Sequence, residues 1–145
     1  MTAPAELDIV TRFGTFTVDP ADVVTFAHGL PGFERCRRFV LVSAPSLDPF
    51  TCLHGIDASE PSFLTLDPRR VVPDYDTPLG DGDRHRLGVA ADDALLWLAV
   101  VHVDDHDAAR VNLKAPVVIN PRKMVGLQVM AADTAYATDH LLDGA

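Results

Sequence analysis

Two histidines and three aspartates fall within six positions in the second half of the chain: His102, Asp104, Asp105, His106 and Asp107. Imidazole and carboxylate groups bind transition metals, and a bound metal can activate water for hydrolysis. Ligands this close in sequence converge on one ion only if the backbone takes a special path, and no distant partner for them is obvious. We therefore interpret the segment as a polar hairpin tip without a metal, and keep a metal-dependent hydrolase as an alternative function.

Other catalytic motifs are weak. Residues 28–32, His-Gly-Leu-Pro-Gly, have the glycine content of a hydrolase oxyanion loop, but no Gly-x-Ser-x-Gly turn accompanies them, so a simple tight loop is predicted. Cys36 lies between Arg35 and Arg37, where nearby cations could lower the pKa of its thiol. Because no set of histidine and asparagine partners is recognisable, Cys36 is interpreted as a packing or surface residue. The sequence predicts no catalytic residues and no cofactor.

The charge balance restricts the partners that this chain can have. Its 145 residues include 21 acidic and 12 basic ones, for a net charge of -9. Binding to phosphates or to an anionic membrane surface needs the opposite sign, so direct contact with nucleic acid or membrane is not expected. A basic protein partner is compatible with this charge. The absence of an apolar leader before Arg12 and of any zinc or redox cysteine motif predicts a cytoplasmic protein with reduced thiols.

The elements that must position these residues are mostly strands. Residues 15–18 and 125–130 alternate between polar and apolar, and further short apolar runs are separated by glycine and proline turns. The pattern predicts one all-β domain over residues 1–145, a small antiparallel β-barrel-like domain with short helical turns. Residues 87–103 could in part form a buried helix instead, and residues 133–142 could form one or two helical turns.

The predicted barrel also leaves open a third function, an all-β binder of small molecules. Such a binder needs a cavity inside the barrel. A narrow barrel of this length can be filled by five large aromatic side chains, and these are Phe16, Phe26, Phe39, Phe63 and Trp97. The sequence therefore favours a packed interior, with the small-molecule binder kept as an alternative.

Residues 67–86 form the longest irregular segment. Tyr75 stands there between Asp74 and Asp76, with Pro73 and Pro78 stiffening the backbone on either side. Long loops in compact domains are often functional, and tyrosine is frequent at binding hot spots. We predict that this segment contributes a partner-binding surface centred on Tyr75. The alternative is that Tyr75 packs beneath its own loop while the two aspartates remain in solvent.

A second feature suited to contact is Pro116, which interrupts what reads as a strand pair at residues 110–113 and 117–120. Proline cannot donate a hydrogen bond to a sheet, so it marks an edge, a bulge or a bend. An edge strand there could accept a strand from a partner. The alternative is a corner of the barrel.

Four blocks of the chain, in order, resemble the FliW flagellar assembly factors. The most specific is residues 111–120, Val-Asn-Leu-Lys-Ala-Pro-Val-Val-Ile-Asn, followed at the expected distance by Gly126, Gln128 and Val129. The others are residues 29–34 (Gly-Leu-Pro-Gly-Phe-Glu), the stretch from residue 63 through Asp-Pro at 67–68 to Pro-Asp-Tyr at 73–75, and Tyr136. The resemblance runs from about residue 9 to residue 136. The chain departs from the family pattern at residues 53–55, Leu-His-Gly in place of Leu-Gln-Ser.

The resemblance implies a small barrel-like protein without catalytic activity, a monomer when free. It implies two partners, flagellin and the basic RNA-binding translational regulator CsrA. Accumulated flagellin would hold the protein and leave CsrA free to repress flagellin translation, whereas export of flagellin would release the protein to sequester CsrA. The irregular segment, the proline and the matching blocks together give the residues that we expect to bind a partner. These are Asp67, Asp74, Tyr75, Asp76, Asn112 and Pro116.

Overall fold

A computed structural model describes residues 7–90, 94–131 and 135–142 of the chain. The strands are β1 (Leu7–Thr11), β2 (Gly14–Val18), β3 (Val23–Thr25), β4 (Arg38–Val42), β5 (Thr51–Gly55), β6 (Ser62–Leu66), β7 (Leu96–Val103), β8 (Ala109–Val111), β9 (Val117–Asn120), β10 (Val125–Gln128) and β11 (His140–Leu141). The α-helix α1 spans Asp81–Leu87, and 3₁₀ turns occupy Pro20–Asp22 and Pro68–Arg70. None of the helices in these ranges is long and apolar enough to cross a membrane.

Seven strands close into a barrel. Strands β3 to β7 are antiparallel neighbours in chain order, β7 then pairs with β9, and β9 pairs with β10. The ring closes where β10 meets β3 in parallel. Strand β8 and then β11 extend the sheet from the second half of β7, and β1 and β2 form a separate hairpin. The predicted all-β, barrel-like fold with short helical turns is confirmed.

The interior of the barrel is filled by side chains. Phe26, Phe39 and Leu53 are fully buried there, and the two phenylalanine rings meet edge to face with centroids 5.0 Å apart. Phe63 packs against the same cluster, whereas Phe16 packs under the β1–β2 hairpin and Trp97 lies on the outer face of the barrel. Three of the five expected aromatics therefore fill the barrel, and the other two cover its outside.

Two helix expectations need correction. Residues 96–103 form β7, and the helix lies earlier, at α1, which except for Leu87 falls inside the segment at residues 67–86 predicted to be irregular. Helix α1 has one fully buried side chain, Leu87, which packs on Val118 and Val129, so its short sequence shows little helical periodicity. Of the predicted helical turns at 133–142, residues 133–134 lie outside the described ranges, and residues 135–142 form a turn that leads into β11.

The predicted strand pair on either side of Pro116 is also wrong, although the bend is confirmed. Strands β8 and β9 do not pair with each other, since both pair with the long strand β7. Leu96 to Leu98 face β9, and Val101 to Val103 face β8. Residues 112–116 form the crossover that carries the chain from one to the other. Pro116 is buried there, and its carbonyl accepts a hydrogen bond of 2.9 Å from Val129 N–H.

Candidate functional site

Tyr75 is buried rather than displayed. Only 7% of its surface is exposed, and its hydroxyl donates a 2.7 Å hydrogen bond to the carbonyl oxygen of Leu113 in the crossover. Its ring lies against Tyr136, with centroids 4.5 Å apart. Burial raises the pKa of Tyr75 to about 12. The accessible aromatic that the sequence suggested is therefore a packing anchor that ties residues 67–86 to the crossover.

Asp74 and Asp76, on either side of this anchor, are exposed. The backbone of Asp76 is held twice by Tyr136: its N–H donates to the Tyr136 hydroxyl at 3.0 Å, and that hydroxyl is 3.1 Å from the Asp76 carbonyl oxygen. Within the described ranges, neither carboxylate has a hydrogen bond or an ion pair. The loop therefore presents two free carboxylates on a backbone that is fixed by two tyrosines.

The remaining predicted residues have structural partners of their own. Asp67 caps the 3₁₀ turn at Pro68–Arg70 by accepting from Arg69 N–H at 2.9 Å, and it pairs with the Arg69 guanidinium at 3.2 Å. Partial burial would raise the pKa of Asp67, but these hydrogen bonds outweigh it and lower the pKa. Asn112 accepts hydrogen bonds from the backbone N–H groups of Lys114 and Ala115, at 3.1 and 3.0 Å. Asp67 and Asn112 therefore shape the loop and the crossover.

Residues 104–107 form the tip of the β7–β8 hairpin, as interpreted from the sequence, and His102 lies just before it on β7. One oxygen of Asp104 accepts from the N–H groups of His106 and Ala108 at 2.8 and 3.0 Å, and the other accepts from Arg110 at 3.0 Å. The hydrogen bond from Ala108, then that from Arg110, lowers the pKa of Asp104. No group of three potential metal ligands converges within residues 7–90, 94–131 and 135–142. Asp104 is instead engaged by the backbone of the turn and by Arg110.

The two cysteines are buried and free. Burial, with a further contribution from hydrogen bonding to Asp57, raises the pKa of Cys36 to about 11. The possible activation of this thiol by its neighbouring arginines is therefore wrong. Cys36 packs in the barrel interior with buried apolar side chains such as Phe26, Phe39 and Leu53.

Sequence reasoning missed a buried polar pair. His54 is 2% exposed on β5, and its Nδ1 shares a 2.6 Å hydrogen bond with the hydroxyl of Ser62 on the adjacent strand β6. Burial lowers the pKa of His54, and the charge of Glu60 opposes this effect only in part. The departure from the family pattern at residues 53–55 was the signal available in the sequence.

The lowered pKa of His54 predicts that the folded protein loses stability in mild acid. In the unfolded chain, His54 takes up a proton near pH 6.5, whereas in the folded protein its pKa is lower. The free energy of unfolding therefore falls as the pH drops below about 6.5. The expected slope is at most about 1.4 kcal/mol per pH unit. Urea denaturation at pH 7.5, 6.5 and 5.5 measures it.

The variant His54→Gln is expected to flatten this slope, since glutamine does not titrate. The exposed His102 supplies the control, and His102→Gln should keep the slope of the wild type. Carboxylates with lowered pKa values titrate below this range and do not contribute. An unchanged slope in His54→Gln would contradict the assignment.

Two of the matching sequence blocks meet at a groove of about 500 Å³. One wall is the loop after β3, with His28, Gly29 and Glu34, and the other is β10, residues 125–128. Gly126 has no room for a side chain, because a Cβ there would lie 2.6 Å from the ring of Phe26. The side-chain amide of Gln128 donates a 2.8 Å hydrogen bond to the carbonyl oxygen of Ala115 in the crossover. The blocks therefore specify one connected region of the barrel.

Comparison with known proteins identifies the family. A family model described as FliW protein matches residues 9–142. The flagellar assembly factor FliW of Caldicellulosiruptor saccharolyticus is 33% identical over 131 residues, covering 90% of this chain and 86% of the relative. That of Geobacillus kaustophilus is 32% identical over 138 residues, covering 94% and 95%. A crystal structure of the flagellar assembly factor FliW superposes with a TM-score of 0.81 at 30% identity, covering 92% of this chain and 95% of the other. The chain belongs to the FliW family of flagellar assembly factors.

Proposed function

We propose that this protein binds flagellin and sequesters the translational regulator CsrA in the cytoplasm, without catalysing a reaction. Membership of a family of flagellar assembly factors supports the flagellar role. The observation that carries the binding role is the pair of free, exposed carboxylates at Asp74 and Asp76. They lie on a fixed backbone in a chain of net charge -9, which suits a basic RNA-binding partner.

The fixed backbone matters for affinity. A partner that docks on a mobile loop must order it, whereas the loop at residues 74–76 is already tied to Leu113 and Tyr136. Preorganisation of this kind reduces the entropy lost on binding. The charges add long-range attraction that speeds the encounter and is screened beyond about 8 Å at physiological salt. We therefore assign CsrA to the face around Asp74 and Asp76.

The groups that could do chemistry have other partners. Asp104 is held by three hydrogen bonds in the β7–β8 turn. Cys36 has a raised pKa and packs in the interior, and His54 is buried against Ser62. These engagements support a role in binding rather than in catalysis.

Biolayer interferometry with purified CsrA tests this assignment. The double variant Asp74→Lys with Asp76→Lys is expected to lower the association rate about tenfold, because attraction is replaced by repulsion. Its Tm should stay near that of the wild type, since neither carboxylate bonds within the described ranges. The association rate of the wild type should fall as the salt concentration rises, while the dissociation rate changes less.

A matched control changes the same charge elsewhere. Asp22→Lys with Asp105→Lys alters two exposed aspartates far along the chain from residues 74–76. This control should reduce the association rate much less. Equal losses in both double variants would show that the net charge matters and the loop does not. An association rate that is independent of salt would refute electrostatic steering.

A further inference from the structure

A small cavity adjoins the loop at residues 74–76. This space, the Thr77 cavity, has a volume of about 100 Å³ and is lined by Arg69, Tyr75, Asp76, Thr77 and Trp97. Asp76 is exposed, whereas only 5% of the surface of Thr77 is exposed, so the cavity leads from the surface into the interior. It therefore has the size and the position to receive the end of one long side chain from a partner on this face.

The hydroxyl group of Thr77 is an unpaired polar group in the wall of this cavity. Its Oγ1 atom is buried and has no hydrogen-bond partner within residues 7–90, 94–131 and 135–142. A buried polar atom without a partner is costly, and native proteins nearly always satisfy such atoms. An occupant of the cavity that donates a hydrogen bond would satisfy Oγ1.

The charges around the cavity favour a cationic occupant. The guanidinium of Arg69 donates hydrogen bonds to both carboxylate oxygens of Asp67, at 3.2 Å each, so its positive charge is already balanced. The carboxylate of Asp76 has no such partner in the described part of the chain. Tyr75 and Trp97 add aromatic rings, which attract cations and pack well against the apolar stem of a basic side chain. The cavity thus combines one uncompensated negative charge with an unpaired hydroxyl.

The number of acceptors distinguishes lysine from arginine as the occupant. A lysine ammonium group is compact and has three donors on a flexible stem, whereas an arginine guanidinium has five donors in a rigid plane. Among the described lining residues, the side chains of Thr77 and Asp76 are the acceptors without a partner. A guanidinium would leave more of its donors unpaired in this space, which is unfavourable.

We propose that the Thr77 cavity binds a lysine side chain of CsrA. The ammonium group donates hydrogen bonds to Thr77 Oγ1 and to the carboxylate of Asp76, and the stem of the lysine packs against Tyr75 and Trp97. The proposal rests on the proposed function, which assigns CsrA to the face around Asp74 and Asp76. It adds the contact that holds CsrA there after the charges have attracted it.

A titration with a mimic of the lysine side chain tests the cavity without CsrA. The probe is n-butylammonium, added to isotope-labelled protein at constant ionic strength and followed by NMR. We expect the amide of Thr77 and the indole N–H of Trp97 to shift, with a millimolar Kd because the ligand is so small. The uncharged n-butanol and the arginine mimic n-propylguanidinium should bind about tenfold more weakly. No shift at about 50 mM n-butylammonium, or equal binding of either control, would overturn the proposal.

The variant Thr77→Val tests the contact with CsrA itself. It removes an unpaired buried hydroxyl and keeps the shape of the side chain, so its Tm should equal or exceed that of the wild type. Its Kd for CsrA is expected to rise about tenfold through faster dissociation, while the association rate changes little because no charge is altered. Thr77→Ser keeps the hydroxyl and serves as the control, which should bind CsrA nearly as the wild type does.

The outcomes separate this contact from the proposed function. If CsrA binds the wild type and Thr77→Val equally well, the ammonium contact does not form and the proposal is wrong. A clearly lower Tm in Thr77→Val would show that the hydroxyl already has a partner such as bound water, and would also overturn it. If CsrA does not bind the wild type, the proposed function fails, and the n-butylammonium titration decides whether the cavity binds an ammonium group.

Discussion

Replacing Gly29 with alanine is expected to lower the free energy of unfolding by about 3 kcal/mol or more. Gly29 has a φ of +63°, which costs an L side chain about 1–2 kcal/mol. A Cβ there would also lie 2.6 Å from the Phe33 carbonyl oxygen, 2.8 Å from Glu34 Cα and 2.9 Å from the Cys36 carbonyl oxygen. These are backbone atoms of the same tight loop, so relief requires moving the loop itself. Urea denaturation measures the loss.

Gly32 in the same loop is the matched control. Its φ is +85°, but a Cβ there would meet nothing within 4 Å. Gly32→Ala should therefore cost only about 1 kcal/mol, the conformational part of the effect. Equal costs for the two variants would contradict the steric argument. Because the loop at residues 27–34 forms a wall of the groove beside β10, Gly29→Ala should also disturb NMR signals along β10.

Truncating Tyr75 to alanine is expected to lower the free energy of unfolding by about 3–5 kcal/mol. The ring fills a buried site against Tyr136 and holds residues 67–86 on the outer face of the barrel. Its hydroxyl also supplies a hydrogen bond for the Leu113 carbonyl. Thermal and urea denaturation of the purified variant give the change.

Tyr75→Phe separates the two contributions. It keeps the ring and removes the 2.7 Å hydrogen bond, so its expected cost is about 1–2 kcal/mol. If Tyr75 were a docking residue instead of an anchor, Tyr75→Ala would keep its Tm and lose a partner. That result would contradict the packing role described here.

The barrel could be predicted from the sequence because the patterns that mark its strands and turns are local. Strands such as β10 alternate with period two, and glycine and proline turns mark where they end. The pairing of β8 and of β9 with β7 could not be predicted, because it rests on contacts between residues that are distant in the chain. A proline between two apolar runs predicts a bend, but it does not reveal which third strand receives each run.

The candidate site was predicted in part. The matching blocks located the loop and the crossover, and the exposure of Asp74 and Asp76 agrees with their composition. The burial of Tyr75 depends on an acceptor 38 residues away, the Leu113 carbonyl, which no local pattern shows. The barrel closes between β3 and β10 through a single residue pair because β3 is only three residues long, and its sequence, Val-Val-Thr, has no alternation that would define this length.

A competition experiment tests most directly the proposal that this protein alternates between flagellin and CsrA. Fluorescently labelled CsrA is bound to the purified protein, unlabelled flagellin is added, and fluorescence anisotropy reports how much CsrA remains bound. We expect CsrA to bind and flagellin then to release it in a concentration-dependent way. Failure of CsrA to bind, or retention of all the bound CsrA at saturating flagellin, would contradict the proposed function.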